Sequence, residues 1–192
     1  MPPEVNARDR LLAAAVEAFS ARGFHGTTTR DIAAAAGMSP AALYVHHRSK
    51  EELLHLICLV GHQRVLALCE DAVAGPGTPV DHLARLVEEF VRHHAVHHVS
   101  ARVVTYEMAA LTEEHRAEVE ELRRRIDRVM RDLLERGAAS GHFTTTDPAI
   151  TATALLSLGI DVARWYREDR GWSPDLVAEH YRGLALRMVG AA

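Results

Sequence analysis

An all-α fold is predicted: a three-helix helix-turn-helix head at the N-terminal end, then a helical bundle, about nine helices in all. Three observations carry this. Apolar residues recur at three- and four-residue intervals along most of the chain. Capping pairs recur with them: Asn6 with Asp9, Thr28 with Asp31 and Ser49 with Glu52. Ser39-Pro40, Asp147-Pro148 and Ser173-Pro174 each set a cap before a proline at the first helical position. No stretch reads as a strand.

The first helix is expected from about Ala7 to Arg22, with Leu12, Val16 and Phe19 as its apolar stripe and Gly23 as its stop. Thr28 opens a second helix through Ala36, which Gly37 ends. Ser39 caps a third, Pro40 to His46. Only Gly37 and Met38 separate that helix end from the next cap, the spacing that sets a short helix into a DNA major groove. A fourth helix runs from Ser49 to about Val73. It is broken by Gly75-Pro76-Gly77 and Pro79, the clearest internal boundary.

Asp81 to His98 then carries Leu83, Leu86, Val87, Phe90 and His94 on one face, and a short segment spans roughly Ala101 to Leu111. Thr112 caps a long helix to about Ala139, with Val119, Leu122, Ile126, Val129 and Leu133 inward. The last two helices run from Pro148 to about Asp169 and from Pro174 to Val189. Residues 1–50 are expected to form the helix-turn-helix, DNA-binding domain and 51–192 a second domain, a helical bundle.

A chain of 192 residues, 48% apolar and 25% charged, buries a real core. Net charge is −4, but the first 50 residues carry +2 and the rest −6, which suits a protein that meets phosphate at one end only. Cys58 and Cys69 lie on one expected helix, roughly 16 Å apart along its axis at 1.5 Å per residue, beyond disulfide reach. A reduced, cytoplasmic setting follows, with a thiol redox sensor as the alternative. No leader opens the chain, and no apolar run approaches the ~20 residues of a membrane span. HExxH, GxSxG and phosphate-loop motifs are absent, so no enzyme activity and no cofactor are expected.

Thr28, Thr29, Ile32, Ala33, Ala36, Gly37, Leu43, Tyr44, His46 and Lys50 resemble the DNA-binding signature of TetR-type (TetR/AcrR) transcriptional regulators. His47 departs from it, standing where Phe is usual. The stretch Ala163-Arg164-Trp165-Tyr166-Arg167 to Ser173-Pro174 resembles a subset that controls fatty-acid, steroid or related acyl catabolism. The resemblance implies a homodimeric, ligand-controlled regulator, most often a repressor, that reads an inverted repeat of double-stranded DNA. A small-molecule effector in the C-terminal bundle would release it.

DNA contacts are assigned to Thr28, Thr29, Arg30, Ser39, Pro40, Ala41, Ala42, Tyr44, His46 and Lys50. Ala meets a thymine methyl, Tyr and His bond phosphate or base edges, and Arg30 is the candidate for a bidentate guanine contact. Lys50, the only lysine, sits at a helix start, where a cation opposes the helix dipole. A bound phosphate accounts for it; a tolerated surface lysine is the alternative.

His93, His94, His97 and His98 have the spacing of metal-binding pairs, with His62 or Glu107 as a further ligand. They read either as the polar lining of a ligand cavity or as a metal site, whose owner would be a metal-responsive regulator or a metal-dependent hydrolase. Leu86, Phe90, Met108 and Leu111 with His94 and Tyr106 are expected to line an apolar effector site. By the resemblance, Arg164, Trp165 and Arg167 hold the phosphates of an acyl-CoA; a packed Trp with surface arginines is the alternative. The last two helices, through Leu155, Leu158, Gly159, Val162, Val177, Tyr181, Leu184 and Met188, form the dimer interface by the same resemblance.

Overall fold

The computed structural model describes residues 6–191. Among these are nine α-helices, two short 3-10 turns and no strand: α1 Ala7–Arg22, α2 Thr29–Ala35, α3 Pro40–His46, α4 Lys50–Val73, α5 Pro79–Val96, α6 His98–Tyr106, α7 Glu113–Ala139, α8 Pro148–Trp165 and α9 Pro174–Met188.

Local chemistry sets the ends. The Asn6 side chain accepts from the Asp9 N–H at 2.9 Å, and the Ser39 hydroxyl from the Ala42 N–H at 3.2 Å. Ser49 caps α4 through the Glu52 N–H at 3.0 Å, but the Glu52 carboxylate reaches back to Arg48 N–H at 2.6 Å rather than to Ser49. α5 starts at Pro79, two residues before Asp81, because Thr78 is the true cap. Its N–H donates to Asp81 Oδ2 at 2.9 Å, and its hydroxyl accepts from the Asp81 N–H at 3.2 Å. The segment expected at 101–111 is α6 followed by a 3-10 turn, Met108–Ala110. α8 ends four residues short of Asp169: Tyr166 leaves the helix extended, is buried, and donates its hydroxyl to the Trp172 carbonyl at 3.0 Å.

The chain forms two compact units. The first comprises residues up to Gly61 together with Val99–Val119, the second His62–His98 with residues from Glu120 on. Leu11, Ala15, Phe19, Ile32, Leu43, Leu53, Leu54, Val103 and Val119 share the first core. Leu66, Leu83, Leu86, Phe90, Met130, Leu133, Phe143, Val162 and Val177 share the second, where α5 packs against α8 and α9. The Gly75-Pro76-Gly77 break is therefore not a boundary between units. Leu66, Cys69 and Ala72 before it and Leu83 and Leu86 after it lie in one core, so it is a turn within that core. Of the described helices, α4 alone is long and apolar enough to cross a bilayer by length and composition, and its Leu53, Leu54, Leu66 and Cys69 are taken up by the two cores.

Candidate nucleic-acid interface

Two short helices hold their angle through one tight turn. The α2 cap is reciprocal: Thr28 N–H and Oγ1 donate to Asp31 Oδ2 at 2.8 and 2.7 Å, and Asp31 N–H donates to Thr28 Oγ1 at 3.2 Å. Gly37 adopts φ 68°, the left-handed conformation that lets Met38 N–H close onto the Ala33 carbonyl at 2.8 Å. Ile32, Ala33 and Leu43 are fully buried, which pins one face of each helix. The other face is then fixed by helical period. Thr28, Arg30, Ser39, Pro40, Ala41, Tyr44 and His46 are exposed, with Thr29 and Ala42 half-buried beside them. Thr29 Oγ1 and Tyr44 OH meet at 3.2 Å and tie α2 to α3 across this face.

Val45, 79% exposed, belongs to the same face and was absent from the sequence assignment, as was the exposed Arg48. The period held the signal for Val45, since it lies two positions from both Leu43 and His47, the inward pair. His47 fills the position where Phe is usual and is 1% exposed, with neither ring nitrogen hydrogen-bonded. Desolvation holds its pKa below the ordinary imidazole range, against the opposing pull of Glu52.

Lys50 departs from the sequence argument. Its ammonium is spent inside the protein, donating to the Phe24 and Thr27 carbonyls at 2.8 and 2.9 Å and lying 4.2 Å from the Phe24 ring centroid. These carbonyls offset the unfavourable helix dipole, so no phosphate is needed to account for a cation there.

The histidine cluster does not assemble into a metal site. His94 Nδ1 meets the Phe90 carbonyl on its own helix at 2.7 Å, and His98 Nδ1, at the start of α6, meets the Ala95 carbonyl of α5 at 2.9 Å, so in each ring one nitrogen is taken by a backbone carbonyl. Burial pushes His93 and His94 down to about 4. Glu107 lies in the first unit, bonded to the Phe24 N–H, while His62 lies in the second. No group of three or more His, Cys, Asp or Glu among the described residues is arranged to hold a metal ion.

The expected effector lining also divides. Leu86, Phe90 and His94 are buried in the second unit, whereas Met108 and Leu111 belong to the first core and Tyr106 is 55% exposed. The arginine stretch makes contacts within the chain. Arg164 forms a two-pronged pair with Asp161 at 2.6 and 2.8 Å, Arg167 donates to the carbonyls of Arg164 and Tyr166, and Trp165 packs on Trp172 and Tyr181.

Of the eight residues assigned to a dimer face, Leu155, Gly159, Val162 and Val177 are buried in the chain's own core, and Tyr181 and Leu184 are half-buried. A Cβ on Gly159 would lie 2.6 Å from the Phe90 ring, so its smallness serves α5–α8 packing within one chain. Leu158 and Met188 are exposed, together with Ile150 and Leu176. Cys58 and Cys69 are buried and not disulfide-bonded, and burial pushes both thiols up to about 12, which removes the basis for a redox sensor.

Known proteins share this arrangement. Residues 11–57 match the family described as bacterial regulatory proteins, tetR family, and residues 76–189 match the tetracyclin repressor-like C-terminal domain. The HTH-type transcriptional repressor KstR2 of Mycobacterium tuberculosis is 30% identical over 188 residues, 95% of this chain and 93% of that protein. A tetR-family regulatory protein from Rhodococcus RHA1 superposes with a TM-score of 0.92 at 43% identity, covering 97% of this chain and 98% of that one. PfmR, a TetR family regulator of Thermus thermophilus, gives 0.87 at 33% identity over 93% and 98% of the two chains. A helix-turn-helix head and a regulatory helical domain on one chain, with relatives along its whole length that are regulators rather than enzymes, place this protein in the TetR family of transcriptional regulators.

Proposed function

We propose that the chain acts in the cytoplasm as a homodimeric repressor of an inverted-repeat operator, and that an apolar acid or its coenzyme A thioester releases it. The observation that supports this most is the exposed α2–α3 face, carrying Arg30, Tyr44, Val45 and His46 over a closed core. Two such faces related by a two-fold axis read half-sites about 34–36 Å apart. Phosphate and base-edge contacts come from the Thr, Tyr and His side chains and from Arg30, and apolar contacts to thymine methyls come from Ala41 and Val45.

The dimer forms through the exposed apolar residues of α8 and α9, Ile150, Leu158, Leu176 and Met188. The effector lodges in the second unit, whose interior sets the polar His62 and His94 among Leu86, Phe90 and other apolar side chains. A relative of nearly equal length is described as a ketosteroid transcriptional regulator, which favours an apolar effector here. To release DNA, the effector must bind the DNA-incompetent state more tightly, by about 1.4 kcal/mol for each tenfold loss of operator affinity.

Selection of binding sites from random DNA, followed by gel-shift titration, tests the first part: an inverted repeat is expected, and recovery of single half-sites overturns the dimeric reading. Leu158→Glu with Met188→Glu is expected to give folded monomers by light scattering. A panel of acyl-CoAs, free acids and steroids added to the complex tests the effector class, and release by none of them overturns it.

A further inference from the structure

The turn between α1 and α2 is gripped from two sides at one residue, Phe24. Its carbonyl accepts from Lys50 at 2.8 Å, and its N–H donates to Glu107 Oε2 at 3.1 Å. The ring is buried and lies 5.5 Å from Phe19, so the side chain is fixed as well. Thr27 completes the turn: its hydroxyl contacts the Ala18 and Gly23 carbonyls at 3.1 and 2.8 Å, and its own carbonyl accepts the second Lys50 bond. Thr28, the α2 cap, follows directly.

Glu107 is the unexpected member. It lies between α6 and the 3-10 turn that precedes α7, within residues 76–189 that match the regulatory C-terminal domain. Yet Val99–Val119 is compact with the head. A carboxylate accepting a backbone N–H is a charge-assisted bond, stronger than a neutral one. Among the bonds holding Phe24 and Thr27 it alone comes from that domain, since Lys50, Ala18 and Gly23 all precede it.

We infer that Glu107 is a positioning residue that fixes the α1–α2 turn, and through it the setting of α2 and α3, so that the C-terminal domain controls the spacing of the two heads on an operator. The inference rests on the dimeric, inverted-repeat reading for its consequence, but not for the clamp itself. The backbone of α6 up to Glu107 is the route: a shift there draws the Phe24 N–H with it or releases it, while Lys50 still holds the other side.

The test uses full-length Glu107→Ala and Glu107→Gln. In the DNA-free protein, Glu107→Ala should exchange the Phe24 amide about tenfold faster, with amides in α5 unchanged, because the opening is local. Glu107→Gln retains an acceptor oxygen and should stay close to wild type. Unchanged Phe24 exchange in Glu107→Ala overturns the clamp. The second readout is affinity for the selected operator and for versions with one base pair added or removed between half-sites. Wild type should lose about tenfold or more on respacing, and Glu107→Ala less than about threefold, since freed heads adapt to either spacing. Equal weakening at every spacing makes Glu107 a stabiliser of the head only and overturns the inference. If wild type itself ignores spacing, the inverted-repeat reading fails and spacing control falls with it, while the exchange measurement still decides the clamp.

Discussion

The two units are built by different means. The second is held by large apolar side chains: Leu83, Leu86 and Phe90 on α5, Met130 and Leu133 on α7, and Phe143 between α7 and α8 are all buried. The first has a smaller apolar core, with Leu11, Phe19, Ile32, Leu43 and Leu54 buried, and adds part-buried polar ties between segments distant in sequence. Lys50 and Glu107 hold Phe24. Glu51 binds His115 Nδ1 at 2.9 Å and the Thr112 N–H at 3.0 Å, Glu118 binds His55 Nε2 at 2.8 Å, and the two imidazoles stack at 3.7 Å. Apolar burial is proportional to area and indifferent to direction, whereas hydrogen bonds are directional. A unit that must present a face at a set angle gains from the second; one that must enclose a ligand gains from the first.

That contrast breaks most readily at Leu86. Leu86→Ala should cost about 2–5 kcal/mol by urea denaturation, because the fully buried site cannot collapse around the missing atoms. A loss below about 1 kcal/mol would show that the second core is loosely packed. Lys50→Ala comes next and acts on the first unit: removing a cation that serves two carbonyls should cost on the order of 1.5–3 kcal/mol, with faster amide exchange in the α1–α2 turn. If stability holds and only the salt dependence of DNA binding falls, the lysine serves phosphate after all.

Acid sharpens the comparison, since both units hold histidines neutral. Burial depresses His47 in the first and takes His93 and His94 to about 4 in the second. Unfolded imidazoles titrate near pH 6.5, so below about that pH the unfolded chain binds more protons than the folded one. Stability is therefore full at neutral pH and falls as pH drops toward about 4. Three groups face His47: Glu52, Arg8 and His46. His47→Phe should remove the first unit's share of this loss, read as urea midpoints at pH 7 and pH 5; an unchanged pH dependence would mean that His47 is not held neutral by burial. The smallest effect is expected on the exposed face of α7. Glu121 pairs with Arg124 and Arg128 at 2.9 and 3.0 Å, all three about half exposed, and Glu121→Ala should change stability by less than about 0.5 kcal/mol.

Sequence disclosed the first unit's α1–α3 nearly to the residue, because caps, Gly37 and proline positions act over three or four residues and are written locally. It placed His47 at the Phe position, and the structure buries that ring in the head as it buries Ile32 and Leu43. Contacts between distant segments were illegible. Nothing near position 107 marks Glu107 as a partner of Phe24, 83 residues away. Nothing near Lys50 distinguishes a phosphate from two carbonyls. The α8 and α9 periodicities were real, but a period gives a face without saying what covers it. Gly159 and Val162 turned to the chain's own core, and Leu158 did not.

The two cysteines fall one to each core, Cys58 in the first and Cys69 in the second, both with thiols pushed up to about 12. A thiol that is neutral and enclosed is inert to alkylation until its surroundings open. The protein thus carries one native chemical reporter in each half, requiring no label and no substitution. Under native conditions the alkylation rate of each cysteine, resolved by peptide mass, measures how often its own half opens. An effector that rigidifies one half and loosens the other would be seen as one rate falling while the other rises.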